Sequence, residues 1–170
     1  MSASKNVEQG EIMLDASPIT NLGTTTMKSG GNGMKFVYES ARLGPAIGLK
    51  KLGCSAYVLP PGKIGFPYHA HSTIEEMCVI LEGQGTLRQD GKEYPVKAGD
   101  IIGSPCGTAH QLINTSEANL KYLAVSANEI ADVVMYPDSG KIGAVSGAFG
   151  KAVWHFTKTS SATGYYDGEE

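Results

Sequence analysis

"PYHAHSTIEEM", residues 67–77, sets two histidines one residue apart and follows them with two adjacent carboxylates. On an extended strand side chains alternate faces, so His69 and His71 point to the same side, about 7 Å apart along the chain. That separation suits two imidazoles sharing one metal ion, with nitrogens at about 2.0–2.2 Å from it. Glu75 and Glu76 cannot both join them, because neighbours on a strand face opposite ways. The next run, "EMCVILEG", divides in the same manner, with Glu76, Cys78 and Ile80 on one face and Glu75, Met77, Val79 and Leu81 on the other. Residues 67–77 therefore supply half of a metal site, and the other half must lie elsewhere in the chain.

Working outward, short β-prone runs recur with turn signals between them. "MKFVYES" (34–40) and "LGCSAYVL" (52–59) precede the histidines, with "PPGKIG" as a stop. After them come "GTLRQDGKEYPV", "GDIIGSP", "HQLIN" and "NLKYLAVSA". Asp90-Gly91 suits the two-residue turn of a hairpin, which needs positive φ at both positions. Apolar spacing of 3.6 residues never persists over three turns between 34 and 127, whereas period-2 alternation does. The expected fold is all-β, one antiparallel barrel or sandwich spanning 34–145. Residues 1–33, broken by "NLG" and "SGGNG", read as an N-terminal arm with room for one short strand. Residues 146–170 read as an irregular C-terminal tail in which "AVWHFTK" forms one further strand.

The other half of the site appears in "GDIIGSPCGTAHQLIN", residues 99–114. Together the two stretches resemble the cupin superfamily. Its first motif ends His-x-His, three or four residues, Glu, six residues, Gly. Here that gives His69, His71, Glu76 and Gly83, and the spacing to Gly83 selects Glu76 over Glu75. The opening glycine departs from the pattern, because Gly62 lies six residues before His69 where the family has five. The second motif is matched at every position by Gly99, Pro105, Gly107, His110 and Asn114. The resemblance extends over residues 35–145 and the ending "GYYDGEE", towards small bacterial single-domain cupins. These are labelled sugar-phosphate isomerases by analogy.

The resemblance implies a jelly-roll in which His69, His71, Glu76 and His110 bind one divalent metal. Three imidazoles and a carboxylate suit Fe(II), Mn(II), Co(II), Ni(II) or Zn(II), and ligand identity alone does not choose among them. An octahedral ion so held keeps two positions for a chelating substrate. The expected function is a metal-dependent enzyme acting on a small polar, sugar- or carboxylate-like molecule. Sugar isomerisation leads, with dioxygenation or decarboxylation as alternatives. A non-catalytic binding or sensing module is the reading from a different class. Fold does not fix reaction, and the sequence names no acid or base.

Composition excludes several partners. The net charge is -3, and the only arginines are Arg42 and Arg88, so no basic patch argues for nucleic acid. No apolar run reaches the roughly 18 residues of a membrane span, and "MSASKNVEQGEIMLD" lacks the apolar core of a signal peptide. Cys54, Cys78 and Cys106 form no CxxC pair. They fit free thiols in a reducing, cytoplasmic setting, with Cys78 a small filler facing the interior. His155 reads as a surface residue, and Arg88, Lys63 and Lys50 as solvated charges. The stripe Met77, Val79, Leu81 needs a cover, which leads us to expect a homodimer.

Overall fold

Polar–apolar alternation interrupted by glycine and proline leaves the backbone little choice but extended segments joined by tight turns. In the computed structural model, which describes residues 17–147 and 152–169, thirteen strands account for most of these residues. They are β1 (Lys28–Asn32), β2 (Phe36–Arg42), β3 (Leu52–Leu59), β4 (Ala70–His71), β5 (Glu76–Glu82), β6 (Gln84–Gln89) and β7 (Lys92–Lys97). There follow β8 (Ile101–Ser104), β9 (His110–Ile113), β10 (Leu120–Ala127), β11 (Ala131–Tyr136), β12 (Lys141–Ser146) and β13 (Val153–Lys158). The all-β expectation holds. β1 falls in the lead-in, and β13 is the strand expected in "AVWHFTK". Residues 1–16 of the expected arm lie outside the described residues.

Besides the strands, a single α-helical turn, α1 (Leu43–Ala46), follows β2. Four residues are too few for a 3.6-residue period to register, so the sequence pattern does not reveal it. It packs over Ala41 and Ala56 on the outer side of the first sheet. No helix among the described residues is long and apolar enough to cross a membrane.

The first sheet runs β1-β2-β3-β10-β5-β8. The second consists of β13-β12-β11-β4 and β7-β6-β9, joined where His69 and His110 exchange both backbone hydrogen bonds, at 3.2 and 2.8 Å. Between the sheets lies an apolar core in which Leu59, Ile80 and Leu120 are sealed from solvent. This jelly-roll sandwich has its hairpin turn at Asp90-Gly91, with φ of 45° and 76°. Asn114 ties the next corner, donating from Nδ2 to the carbonyls of Leu59 and Ala118 at 2.8 and 2.7 Å.

Facing follows the strand alternation. Ile80 is buried, whereas Met77 and Ile101 on the outer side of the first sheet are 40% and 70% exposed. On β13 the Trp154 and Phe156 rings stack at 5.5 Å on the rim of the second sheet. Arg88 is not a free charge: it forms a two-pronged ion pair with Asp138 at 2.7 and 2.8 Å and lies over the Tyr68 ring.

Leu120→Ala removes a sealed side chain and should cost about 2–5 kcal/mol of unfolding free energy. Met34→Ala, at a side chain 86% exposed, should change it by less than about 0.5 kcal/mol. Urea midpoints of the two variants check the difference, and equal midpoints would contradict this division of core from surface.

Candidate metal centre

The backbone pairing of His69 with His110 puts their side chains on one face, and the rings lie 4.7 Å apart between centroids. His71, two residues on in β4, joins the same face with its ring 4.9 Å from that of His69. Glu76 enters from the other sheet as the first residue of β5. Its Oε2 meets His110 Nε2 at 2.8 Å, so the cluster stitches the two layers together. Glu75 faces outward and is exposed.

Hydrogen bonds at the far side of each imidazole set its tautomer. His69 Nδ1 lies 2.8 Å from the Pro67 carbonyl, and His110 Nδ1 lies 3.0 Å from the Thr108 carbonyl. His71 Nδ1 meets Asp132 Oδ2 at 2.6 Å. Carbonyl and carboxylate oxygens only accept, so all three Nδ1 atoms carry hydrogen and donate. In a neutral ring the lone pair then sits on Nε2, which is the arrangement that outer partners impose on metal-binding histidines. Asp132 is itself held, because its Oδ1 accepts from the amides of Ser72 and Thr73 and from the Thr73 hydroxyl.

His69, Glu76 and His110 each offer one donor atom within 4.8 Å of the others, a set that could hold a metal ion. His71 stands beside this trio, with Nε2 3.9 Å from Glu76 Oε1, its ring drawn back towards Asp132. The donor chemistry fits a divalent transition metal: imidazole nitrogens with lone pairs at Nε2, and a carboxylate. Asp132 has no counterpart in the sequence reading. It lies 61 residues beyond His71, and only the β11–β4 pairing brings the two together.

Charge is distributed unevenly. Burial, then the neighbouring His110 and His71, push the His69 pKa down to about 4, so this ring is neutral at physiological pH. Burial alone would lower His110, but its hydrogen bond to Glu76 wins and raises it above the ordinary histidine value. Burial would raise the Glu76 carboxyl, yet the His110 bond and the surrounding imidazoles hold it below its usual range. His110 and Glu76 thus stabilise each other's charged forms, through the proton that His110 Nε2 donates to the carboxylate when the ring is protonated.

The cluster opens onto a cavity of about 230 Å³ between the sheets, lined also by Tyr57, Phe66, Cys78, Leu112, Tyr122 and Ala124. No lysine or arginine lines it. Cys78 faces this interior, and burial pushes its thiol up to about 12, which leaves it an unreactive small filler. Cys106 is exposed in the turn before β9.

Fold and cluster together define a jelly-roll with a histidine–carboxylate centre inside the sandwich. Residues 56–126 match the cupin domain family, and the chain belongs to the cupin superfamily. It is 40% identical over 68 residues to the oxalate-binding protein of Thermotoga maritima, covering 39% of this chain and 54% of that protein. It spans about half the length of the curated relatives it matches. Among solved structures, it superposes with a TM-score of 0.74 and 26% identity on an Acidithiobacillus ferrooxidans protein provisionally labelled a sugar phosphate isomerase. That match covers 86% of this chain and 96% of that one. A predicted oxalate decarboxylase from Thermotoga maritima matches with a TM-score of 0.58 and 30% identity, over 65% of this chain and 99% of that one.

The pH dependence of metal uptake follows from the His110 shift. Its raised pKa means that pairing with Glu76 stabilises the fold fully below pH 6.5, and that this contribution fades as pH rises through the shifted value. A metal must displace that proton. Calorimetric titration with Co(II) at pH 6.5 in buffers of different ionisation enthalpy should therefore show net proton release, more than about half a proton per site. The release should decline as pH rises, with tighter apparent binding. Release that grows with pH would contradict the assignment.

Proposed function

We propose that this protein is a metal-dependent enzyme acting on a small, oxygen-chelating substrate. His69, His71, Glu76 and His110 together hold one divalent ion of the group Fe(II), Mn(II), Co(II), Ni(II) and Zn(II). The observation that carries this reading is the common tautomer of the three imidazoles, each with Nδ1 spent on an acceptor, beside a carboxylate that lines the cavity between the sheets. Such a bound ion supplies a Lewis acid that polarises a substrate oxygen.

The chain's own groups do the remaining work. Asp132 fixes the His71 ring so that Nε2 is turned towards Glu76. The Pro67 and Thr108 carbonyls hold the other two rings. Glu76 offers the negative charge that offsets an incoming cation, and the buried ring of Tyr122 with Tyr57 gives the cavity an apolar wall, which strengthens each electrostatic contact. Sugar or sugar-phosphate isomerisation is the first reaction class, supported by likeness to the Acidithiobacillus ferrooxidans protein. The cation-free cavity favours a second, decarboxylation or dioxygenation of a small carboxylate, and the names of the two Thermotoga maritima relatives agree with it.

Metal content checks the centre. The purified protein should carry about one ion per chain, and His110→Ala should lose it along with turnover of sugars, sugar phosphates, β-dicarbonyls or oxo acids. Unchanged metal in the variant would refute the ligand set. Metal without turnover of any of these would leave a binding module in place of an enzyme.

Two copies pairing through the outer face of the first sheet would cover Met77 and Ile101. Light scattering should then give twice the chain mass, and a monomeric mass would defeat this proposal.

A further inference from the structure

The cavity runs deeper than the metal ligands reach. Across the β10–β5 ladder Ser126 stands opposite Glu76, Ala124 opposite Cys78, and Tyr122 opposite Ile80. Two small side chains at the middle pair leave open space between the carboxylate at one end and Tyr122 at the other. Tyr122 pairs with Tyr57 of β3, and their rings stack at 5.2 Å. Phe66 closes edge-on against Tyr57, also at 5.2 Å. The far end is thus an aromatic box.

Tyr122 is 3% exposed, and among the described residues no hydrogen bond engages its hydroxyl. No sealed side-chain polar atom lacks a partner, so this oxygen faces the cavity that Tyr122 lines. Gly65 keeps it uncovered, because a Cβ there would stand 3.3 Å from the Tyr122 hydroxyl oxygen. A hydroxyl that faces a cavity with no protein partner is free to donate to a ligand acceptor that displaces water from it.

We propose that this far end is a specificity subsite for the uncharged, oxygen-bearing end of a short oxo acid, with the Tyr122 hydroxyl donating a hydrogen bond to the ligand carbonyl. The subsite deepens the proposed function and rests on it for the chelating end of the substrate. Burial holds the phenol well above its ordinary pKa, so it stays a neutral donor. A phosphate here would be desolvated against aromatic rings with no cation to offset its charge. The volume of about 230 Å³ also falls below the roughly 300–1,000 Å³ typical of ligand pockets, which selects a short chain.

The test compares 4-oxopentanoate with pentanoate and 5-oxohexanoate with hexanoate, by calorimetry on the Zn(II)-loaded and metal-free full chain. At least one oxo acid should bind about two- to tenfold more tightly than its partner, the range of one neutral hydrogen bond. Tyr122→Phe should abolish that preference while leaving metal content and melting temperature unchanged. Gly65→Ala, which crowds the hydroxyl while keeping the phenol in place of Phe, should abolish it too and covers the case in which the first variant fails to fold. A preference that survives both substitutions, its absence from both forms of the wild type, or fructose 6-phosphate binding as tightly as the oxo acids would overturn the subsite. Failure to take up Zn(II) would count against the metal reading alone, because the preference is scored on the metal-free chain as well.

Discussion

The pair of backbone hydrogen bonds between His69 and His110 is the constraint on which the rest depends. It joins the two halves of the second sheet, and it is also what makes neighbours of two imidazoles that are 41 residues apart in the chain. Side-chain position within a sheet follows from register, and a slip of one residue would turn every side chain to the opposite face. Fold closure and site assembly are therefore one event. The functional rings need no separate device to find each other.

Glu76 completes the cluster from the opposite layer, and its contact with His110 is a polar tie through an otherwise apolar interior. Charged groups between packed sheets cost free energy that hydrophobic residues of similar volume would not. The surroundings reduce that cost locally, with carbonyl acceptors behind two rings and a buried carboxylate, Asp132, itself hydrogen-bonded by the Ser72 and Thr73 amides, behind the third. The expense is confined to one end of the sandwich. Away from it, Leu59, Ile80 and Leu120 form an ordinary sealed core.

The sequence made legible those features that depend on neighbours along one strand. Alternation separated Glu76 from Glu75, placed Cys78 inside, and located the hairpin at Asp90-Gly91, where both φ values are positive. Motif spacing added His110. Features that depend on pairing between distant strands were not legible. Nothing near "ADVVMY" marks Asp132 as the partner of His71, since that relation arises from register between β11 and β4. The unpartnered Tyr122 hydroxyl was equally hidden, because it is defined by small residues on the facing strand and a glycine in a loop. Alternation also placed His71 on the ligand face, but could not foresee that Asp132 would draw its ring away from the tight trio.

The rim position of Trp154 decides what an optical probe can see. It is the chain's sole tryptophan, stacked on Phe156 and 45% exposed, on the strand at the sheet's edge. Tyr57 and Tyr122, by contrast, are stacked between the layers. Indole emission therefore reports the peeling of the last strand from its neighbour, while near-ultraviolet dichroism of the phenols reports the sandwich itself. The two signals follow different parts of one molecule, and their coincidence or separation on heating measures how firmly the final hairpin is coupled to the barrel.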